Sequence, residues 1–252
     1  MDTIKGADKT LYVLEYIMGH YDHEFSVSGL SRELGYGKTV TYRIIQTLLK
    51  RGYLVKNERH GTYAPGLKLV ELGAKVQEKF KIHKIVRPHL EKLHRLTNET
   101  VNLGILVGTE VTYLDKIESS NFLRTDLRVG TSVPVFCTGL GKAILSVHPQ
   151  KEEILARLDM KKYTENTISS AENLKAELVQ IKERGYALDY EEYIPGVICL
   201  AVPVKTSVKI MPAAISAAGP TTRFTPEYIE KLVKLIMEVG NDLEENIHLT
   251  TS

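Results

Sequence analysis

The chain has 252 residues and a formal net charge of +2, and 43% of its residues are hydrophobic and 25% charged. These values are typical of a soluble chain that folds into about two domains, and they exclude both a disordered chain and a histone-like polycation. Because no apolar run approaches the ~20 residues of a membrane helix and the first residues lack the apolar core of a signal peptide, we expect a cytoplasmic protein in which Cys137 and Cys199 remain thiols.

The first 65 residues have the pattern of a winged helix-turn-helix. Apolar periodicity predicts three helices, over residues 7–20, 26–34 and 38–51. Gly35 and Gly37 break the chain between the second and third helices, and Gly52 ends the third where a left-handed residue is usual. Residues 54–64 are then predicted to form a hairpin. This order of elements typically places the helix after the turn in a DNA major groove.

Basic and hydroxyl side chains gather on the helix after the turn and on the hairpin. Between Gly35 and Tyr63, Glu58 alone opposes six basic residues, which are Lys38, Arg43, Lys50, Arg51, Lys56 and Arg59. Such a local basic surface neutralises DNA phosphates. The side chains predicted to contact DNA, by pairing with base edges or reaching phosphates, are Lys38, Thr39, Tyr42, Arg43, Gln46, Arg59 and His60. A solvated helix face, or a winged helix that binds only a protein partner, is the alternative.

Two further helices, over residues 67–80 and 82–96, follow the punctuation of Pro65 and Gly66. The first of these helices is the natural linker between domains. We therefore predict three segments: a winged helix-turn-helix domain over residues 1–66, a linker helix over 67–81 and a second domain over 82–252.

From Thr97 onward the pattern changes to alternating strands and helices. Strands are predicted over residues 101–107, 111–117, 122–129, 186–191, 198–205 and 212–218. Helices are predicted over residues 139–147, 152–158, 171–184 and 225–246. Six strands in a mainly antiparallel sheet flanked by helices indicate an α+β domain of the sensor type.

No cofactor or metal is expected from the sequence. Gly139 and Gly141 lack the third glycine of a dinucleotide fingerprint, and no phosphate loop is present. His83, His89 and His94 follow one another at spacings of six and five residues, so they do not share the helix face that a metal pair at i, i+4 requires.

Several stretches, spread over nearly the whole chain, carry a resemblance to a known family. They are residues 42–53 (YRIIQTLLKRGY), 138–143 (TGLGKA), 184–199 (RGYALDYEEYIPGVIC), 200–204 (LAVPV) and 214–220 (AISAAGP). With its order of winged helix, linker helix and α+β domain, the chain resembles the IclR family of bacterial transcription regulators. The resemblance implies a GAF- or PAS-like effector domain, a homodimer or dimer of dimers, and control of genes for small organic-acid or aromatic-acid catabolism, with repression more common than activation.

The resemblance also implies where an effector binds. By motif position, the site includes the backbone of Gly139 and Leu140 and the side chains of Asp189, Cys199 and Ser216. Amide N–H groups at a helix N-terminus and a serine hydroxyl can bind a carboxylate, and an aspartate can accept a hydrogen bond from a ligand hydroxyl. Ala218 replaces a second hydroxyl often found there, and Leu140 is bulkier than usual, so we expect a narrower, less polar pocket for a more apolar acid.

These observations predict a ligand-responsive regulator that binds an inverted repeat in double-stranded DNA and a small carboxylic acid. Two alternatives stay open at this point. One is a thiol-dependent GAF-type enzyme that uses Cys199, although the sequence indicates neither a histidine partner nor a resolving thiol. The other is a winged-helix protein-interaction module.

Overall fold

The computed structural model describes residues 3–80, 82–121, 127–204 and 212–251. The chain divides into two compact units, residues 1–80 and 81–252. Among the described helices, none combines the length and apolar character that a bilayer span requires.

The N-terminal unit is a winged helix-turn-helix, as predicted. Its elements are α1 (Lys5–Gly19), α2 (Val27–Glu33), α3 (Lys38–Lys50), β1 (Leu54–Asn57), β2 (Thr62–Pro65) and α4 (Lys68–Phe80). Ser26 begins α2, because its hydroxyl accepts a hydrogen bond from the Gly29 N–H at 3.0 Å. Gly35 turns the chain with a φ of +66° and Gly52 ends α3 with a φ of +77°, values that favour glycine. The helix ends that the sequence predicts are therefore observed in this unit.

A small apolar core fixes these elements to one another. Val13 and Ile17 of α1, Leu30 of α2 and Ile45 of α3 are fully buried in one cluster. The two strands pair antiparallel, and an isolated bridge joins Phe25 to Tyr63 beside them. The hairpin is thus attached to the segment that precedes α2.

The C-terminal unit is an α+β domain built on a six-stranded antiparallel sheet, which confirms the predicted fold class. Its strands are β3 (Thr100–Val107), β4 (Glu110–Ile117), β5 (Ser132–Pro134), β6 (Ala187–Tyr190), β7 (Val197–Val204) and β8 (Ala213–Pro220). Its helices are α5 (Ile82–Thr97), α6 (Gly139–Val147), α7 (Lys151–Leu155), α8 (Ala171–Arg184) and α9 (Pro226–Thr251). The strand order is β5-β4-β3-β8-β7-β6.

One predicted strand, over residues 122–129, lies mostly outside the described residues. Of residues 122–129, the segment 122–126 lies outside the described residues, and residues 127–129 form no strand. The short strand β5 instead pairs with β4, opposite Glu110, Val111 and Thr112.

The two faces of the sheet carry different helices. On β7, Leu200 and Val202 lie in a core cluster with residues of α5 and α9, whereas Ala201 lies in a second cluster with residues of α6, α7 and α8. Successive side chains of a strand point to opposite faces, so the odd-numbered residues of β7 face α6. Cys199 therefore points toward the α6 side.

Candidate functional site

Helix α3 presents a polar surface opposite its buried face. Thr41, Ile44, Ile45 and Leu48 are buried. The exposed residues on the other side are Lys38, Thr39, Tyr42 and Arg43, and Gln46 is half-buried beside them. Spacings of three and four residues put these side chains on one helix face. The structure therefore brings together all five α3 residues that the sequence predicted as DNA contacts.

The hairpin holds Arg59 and His60 at an exposed tip. The Asn57 side chain accepts a hydrogen bond from the Arg59 N–H at 3.1 Å, and it donates to the Glu24 carboxylate at 3.1 Å. Thr62 donates to the same carboxylate. The hydrogen bond from Thr62 is the largest cause, and that from Asn57 the second, of the lowered pKa of Glu24. Glu24 thereby fixes both strands of the wing at their turn end.

Basic side chains of this surface are available to phosphates. Lys56 forms an exposed ion pair with Glu58 at 2.6 Å, a pair of the kind that contributes little to stability. Within the described residues, Lys38, Arg43 and Arg59 form no ion pair. An arginine on an exposed helix face without a carboxylate partner can bind a phosphate or a guanine edge.

In the C-terminal unit, the start of α6 lies against the backbone of β7. The Thr138 hydroxyl caps α6 by accepting from the Gly141 N–H at 3.3 Å. A Cβ on Gly139 would lie 2.8 Å from the Cys199 carbonyl oxygen, and one on Gly141 would lie 2.1 Å from that of Val135. Both glycines therefore permit close backbone packing, and the Gly141 amide already has a partner.

Cys199 lies in contact with most of the predicted effector residues. The Leu140 N–H donates a hydrogen bond to Cys199 Sγ, and the Ser216 hydroxyl is hydrogen-bonded to the same thiol. Burial, opposed by these two hydrogen bonds, raises the pKa of the Cys199 thiol to about 12. Reactive cysteines have a lowered pKa and an electropositive surrounding, so this thiol lacks the activation that a nucleophile needs.

Asp189 lies directly across the sheet from Cys199. Its carboxylate accepts hydrogen bonds from the Glu192 N–H, at 2.8 Å, and from the Tyr193 N–H, and so shapes the turn after β6. Burial raises the pKa of Asp189 to about 7. The side chain thus changes charge near neutral pH, beside the thiol and the turn.

A small cavity lies between these groups. Its volume is about 20 Å³, and its wall includes Asn102, Tyr113, Thr138, Asp189, Cys199 and Ala218. This is room for about one water molecule. Leu140 does not belong to that wall, because its side chain is fully buried in the core against Gly104. That the bulk of Leu140 narrows the effector pocket stays a prediction.

Two groups that shape this site are not predicted from the sequence. Asn102 lies among apolar residues in strand β3, and a polar residue in such a strand is the sequence feature that could have indicated it. Lys142 of α6 is buried, forms an ion pair with Glu192 and donates to the Leu188 carbonyl at 2.7 Å. This ion pair fastens the turn after β6 to α6, and no local pattern in the sequence predicts it.

The described residues contain no group of histidine, cysteine and acidic side chains arranged to hold a metal ion. His89 and His94 instead contact backbone carbonyls, those of Ile85 at 3.1 Å and Glu99 at 2.9 Å. These two histidines therefore have structural partners within their own unit.

The raised pKa of Asp189 predicts a pH-dependent stability. The folded chain keeps the Asp189 proton up to about pH 7, whereas the ordinary pKa is 3.8. The stability that the protonated Asp189 side chain contributes to the folded state is therefore fully present below pH 3.8 and is lost as the pH rises toward 7. The loss is at most about 4 kcal/mol in the free energy of unfolding.

Asp189→Asn is expected to flatten the decline of stability between about pH 4 and 7, as followed by urea unfolding at a series of pH values. Asp159→Asn, which changes an exposed carboxyl, is the matched control and should keep the wild-type profile. Identical profiles for wild type and Asp189→Asn would show that Asp189 is not protonated by burial.

Comparisons with known proteins match both parts of the chain. Residues 6–58 match the family model described as the IclR helix-turn-helix domain, and residues 74–245 match the one described as the bacterial transcriptional regulator IclR C-terminal domain. The HTH-type transcriptional regulator KdgR of Escherichia coli K12 is 34% identical over 237 residues, which cover 93% of this chain and 89% of KdgR.

Solved structures show the same fold. The crystal structure of Thermotoga maritima IclR has a TM-score of 0.70 and 30% identity, and the match covers 97% of this chain and 99% of that one. An IclR homolog from Microbacterium hydrocarbonoxydans, crystallised with 4-hydroxybenzoate, has a TM-score of 0.77 at 20% identity, with 95% of this chain and 99% of that chain covered.

Proposed function

The chain belongs to the IclR family of bacterial transcriptional regulators, and from this premise we propose that it is a repressor that a small carboxylic acid releases from its operator. The family establishes a DNA-binding regulator and not an enzyme, which confirms the prediction made from the sequence. The raised pKa of the Cys199 thiol also speaks against the thiol-enzyme alternative. A regulator of bacterial genes acts in the cytoplasm, where its operator lies.

The observation that carries the proposal is the exposed polar face of α3 within a winged helix-turn-helix. We assign Arg43 and Gln46 to base edges and Lys38, Thr39 and Tyr42 to the same groove or its phosphates. Arg59 and His60 then reach the backbone or minor groove from the wing. The winged helix-turn-helix is assigned to residues 1–66, a linker to 67–81 and the effector domain to 82–252.

Exposed apolar side chains support a dimer. Val70, Leu72 and Val76 are exposed on α4, and Leu11 and Tyr12 are exposed on α1. Apolar residues gathered on one element are typical of a surface that a partner covers. Two copies related by a two-fold axis would bind an inverted repeat, because the symmetry of the protein is mirrored in its operator. A dimer of dimers extends the same arrangement.

The effector is assigned to the cavity beside α6. The groups proposed to bind it are Gly139 and Leu140 at the helix N-terminus and the side chains of Asp189, Cys199 and Ser216. Support comes from the carboxylic acid bound to the Microbacterium homolog. Because the cavity has a volume of about 20 Å³, an acid larger than water must displace its wall. Tyr193 and Ile194, on the turn after β6, belong to that wall and are proposed to move.

Such a movement would couple acid binding to DNA affinity as a population shift. The acid favours one conformation of the C-terminal unit, and that conformation changes the spacing of the two DNA-binding units through α4. A coupling of ~1–3 kcal/mol changes DNA affinity by roughly 5- to 150-fold. This range suffices to switch a promoter.

Ser216→Ala is expected to weaken the response to the acid, because it removes the hydroxyl that links Cys199 to Asn102. In gel-shift titrations with a panel of small carboxylic acids, the concentration that releases DNA should rise roughly 5-fold or more. Ser132→Ala, at the exposed edge strand β5, is the matched control. An unchanged dose response in Ser216→Ala would remove Ser216 from the effector site.

A further inference from the structure

Asn102 has a buried acceptor atom that the chain itself does not satisfy. The residue is 2% exposed and belongs to the wall of the cavity beside α6. Its Nδ2 donates to Ser216 Oγ at 3.2 Å, whereas its Oδ1 accepts no hydrogen bond from the described residues. Buried polar atoms almost always have a partner, so an unsatisfied carbonyl at a cavity indicates a group that binds there.

Asn102 uses one end of its amide within the chain. Its Nδ2 donates to Ser216 Oγ at 3.2 Å, and the Ser216 hydroxyl is also hydrogen-bonded to the Cys199 thiol, which accepts from the Leu140 N–H. The chain of bonds runs from Asn102 through Ser216 to Cys199, and it leaves Oδ1 to an occupant of the cavity.

The neighbours of Oδ1 favour a hydroxyl group as that occupant. Tyr113 belongs to the same wall, and burial raises the pKa of its hydroxyl well above 10.0, so it stays protonated and can donate. A hydroxyl donates and accepts at once, whereas an ammonium group only donates. The cavity volume, about 20 Å³, is also the room that one oxygen atom needs.

We propose that Asn102 Oδ1 accepts a hydrogen bond from a hydroxyl group of the effector, and that the acid sensed by this protein is therefore a hydroxy acid. This inference rests on the effector site proposed above and narrows its ligand class. Asn102 acts as a specificity residue, because an acid without the hydroxyl leaves Oδ1 buried and unpaired. The cost of such an unpaired group corresponds to a preference of roughly 5- to 150-fold for the hydroxylated acid.

The test compares acids that differ in one substituent, by calorimetric titration of the full chain. The series are lactate, alanine and propionate; 3-hydroxybutyrate, 3-aminobutyrate and butyrate; and 4-hydroxybenzoate, 4-aminobenzoate and benzoate. For the wild type, the hydroxylated member of the series that fits is expected to bind roughly 5- to 150-fold more tightly than the unsubstituted acid.

Variants of Asn102 assign the preference to its Oδ1. Asn102→Leu, a near-isosteric apolar change, is expected to reduce the ratio of the two affinities to about one. Asn102→Asp keeps an acceptor oxygen and should retain the ratio while weakening both affinities, because its added charge repels an anion. Ser146→Ala removes another buried hydroxyl, whose hydrogen bond to the Ala143 carbonyl is 2.7 Å long, and should leave the ratio unchanged.

Three outcomes would overturn the inference. Equal affinities for the hydroxylated and unsubstituted acids in the wild type, or tighter binding of the amino acid, would exclude a hydroxyl at Oδ1. A ratio that persists in Asn102→Leu would assign the preference to another residue. Binding of no acid in any series, by a folded sample, would overturn the proposed acid effector itself, and the hydroxyl assignment with it.

Discussion

Replacing Arg43 with alanine is expected to weaken operator binding by roughly 5- to 150-fold per half-site, the range for loss of one base-reading arginine. Arg43 lies on the exposed face of α3, and it forms no ion pair with any residue that the structure describes. A dimer loses the contact twice, so the effect on a full inverted repeat is larger than on one half-site. The measurement is a gel-shift titration with operator DNA at two salt concentrations.

The control for Arg43 removes one positive charge elsewhere. Lys175 is half-exposed in the C-terminal unit, where it pairs with Glu152 at 2.6 Å. Lys175→Ala should therefore leave DNA affinity within twofold of the wild type. Acid binding should be unchanged in Arg43→Ala, since Arg43 lies in the N-terminal unit. Equal loss of DNA and acid binding would indicate misfolding and would contradict the role given to Arg43.

Gly141→Ala is expected to destabilise the C-terminal unit by at least ~2–3 kcal/mol. A Cβ at this position would lie 2.1 Å from the Val135 carbonyl oxygen and 2.6 Å from the Val135 Cα, so either α6 or the segment before it must move. In a thermal unfolding scan, each kcal/mol corresponds to a fall of about 2–4 °C in Tm for a domain of this size. Acid binding should weaken as well, because the start of α6 carries the Leu140 N–H.

Gly73 provides a matched control, since it is also a glycine within a helix. A Cβ at Gly73 on α4 would meet no atom within 4 Å. Gly73→Ala is therefore expected to raise stability by up to ~1 kcal/mol through helix propensity. If Gly141→Ala unfolds at the same temperature as the wild type, the close packing of α6 on residue 135 is not a constraint on this fold.

The N-terminal unit could be predicted closely because its signals are local. Glycines at 35 and 52 adopt positive φ at the ends of α2 and α3, and the apolar period of α3 fixes which side chains face outward. The predicted and observed ends of α3 differ by one residue. Contacts within a short segment are sufficient to determine these features.

The effector site was only partly predictable, because its contacts join distant parts of the chain. Asn102 meets Ser216 across 114 residues, and Lys142 meets Glu192 across 50. Family motifs indicated Ser216, Asp189 and Cys199, but no period or spacing indicates their partners. The glycines at the start of α6 illustrate the limit: the sequence suggests open amides, whereas the structure shows close packing and an amide donated to Thr138.

The most direct test of the central claim is a footprint of the purified chain on the intergenic DNA beside its own gene. An acid-responsive regulator predicts a protected inverted repeat of ~20 base pairs or more at low and moderate salt, with protection lost when the acid that binds in calorimetry is added. A folded sample that protects no discrete site at either salt would contradict the account, and would favour a winged helix that binds protein.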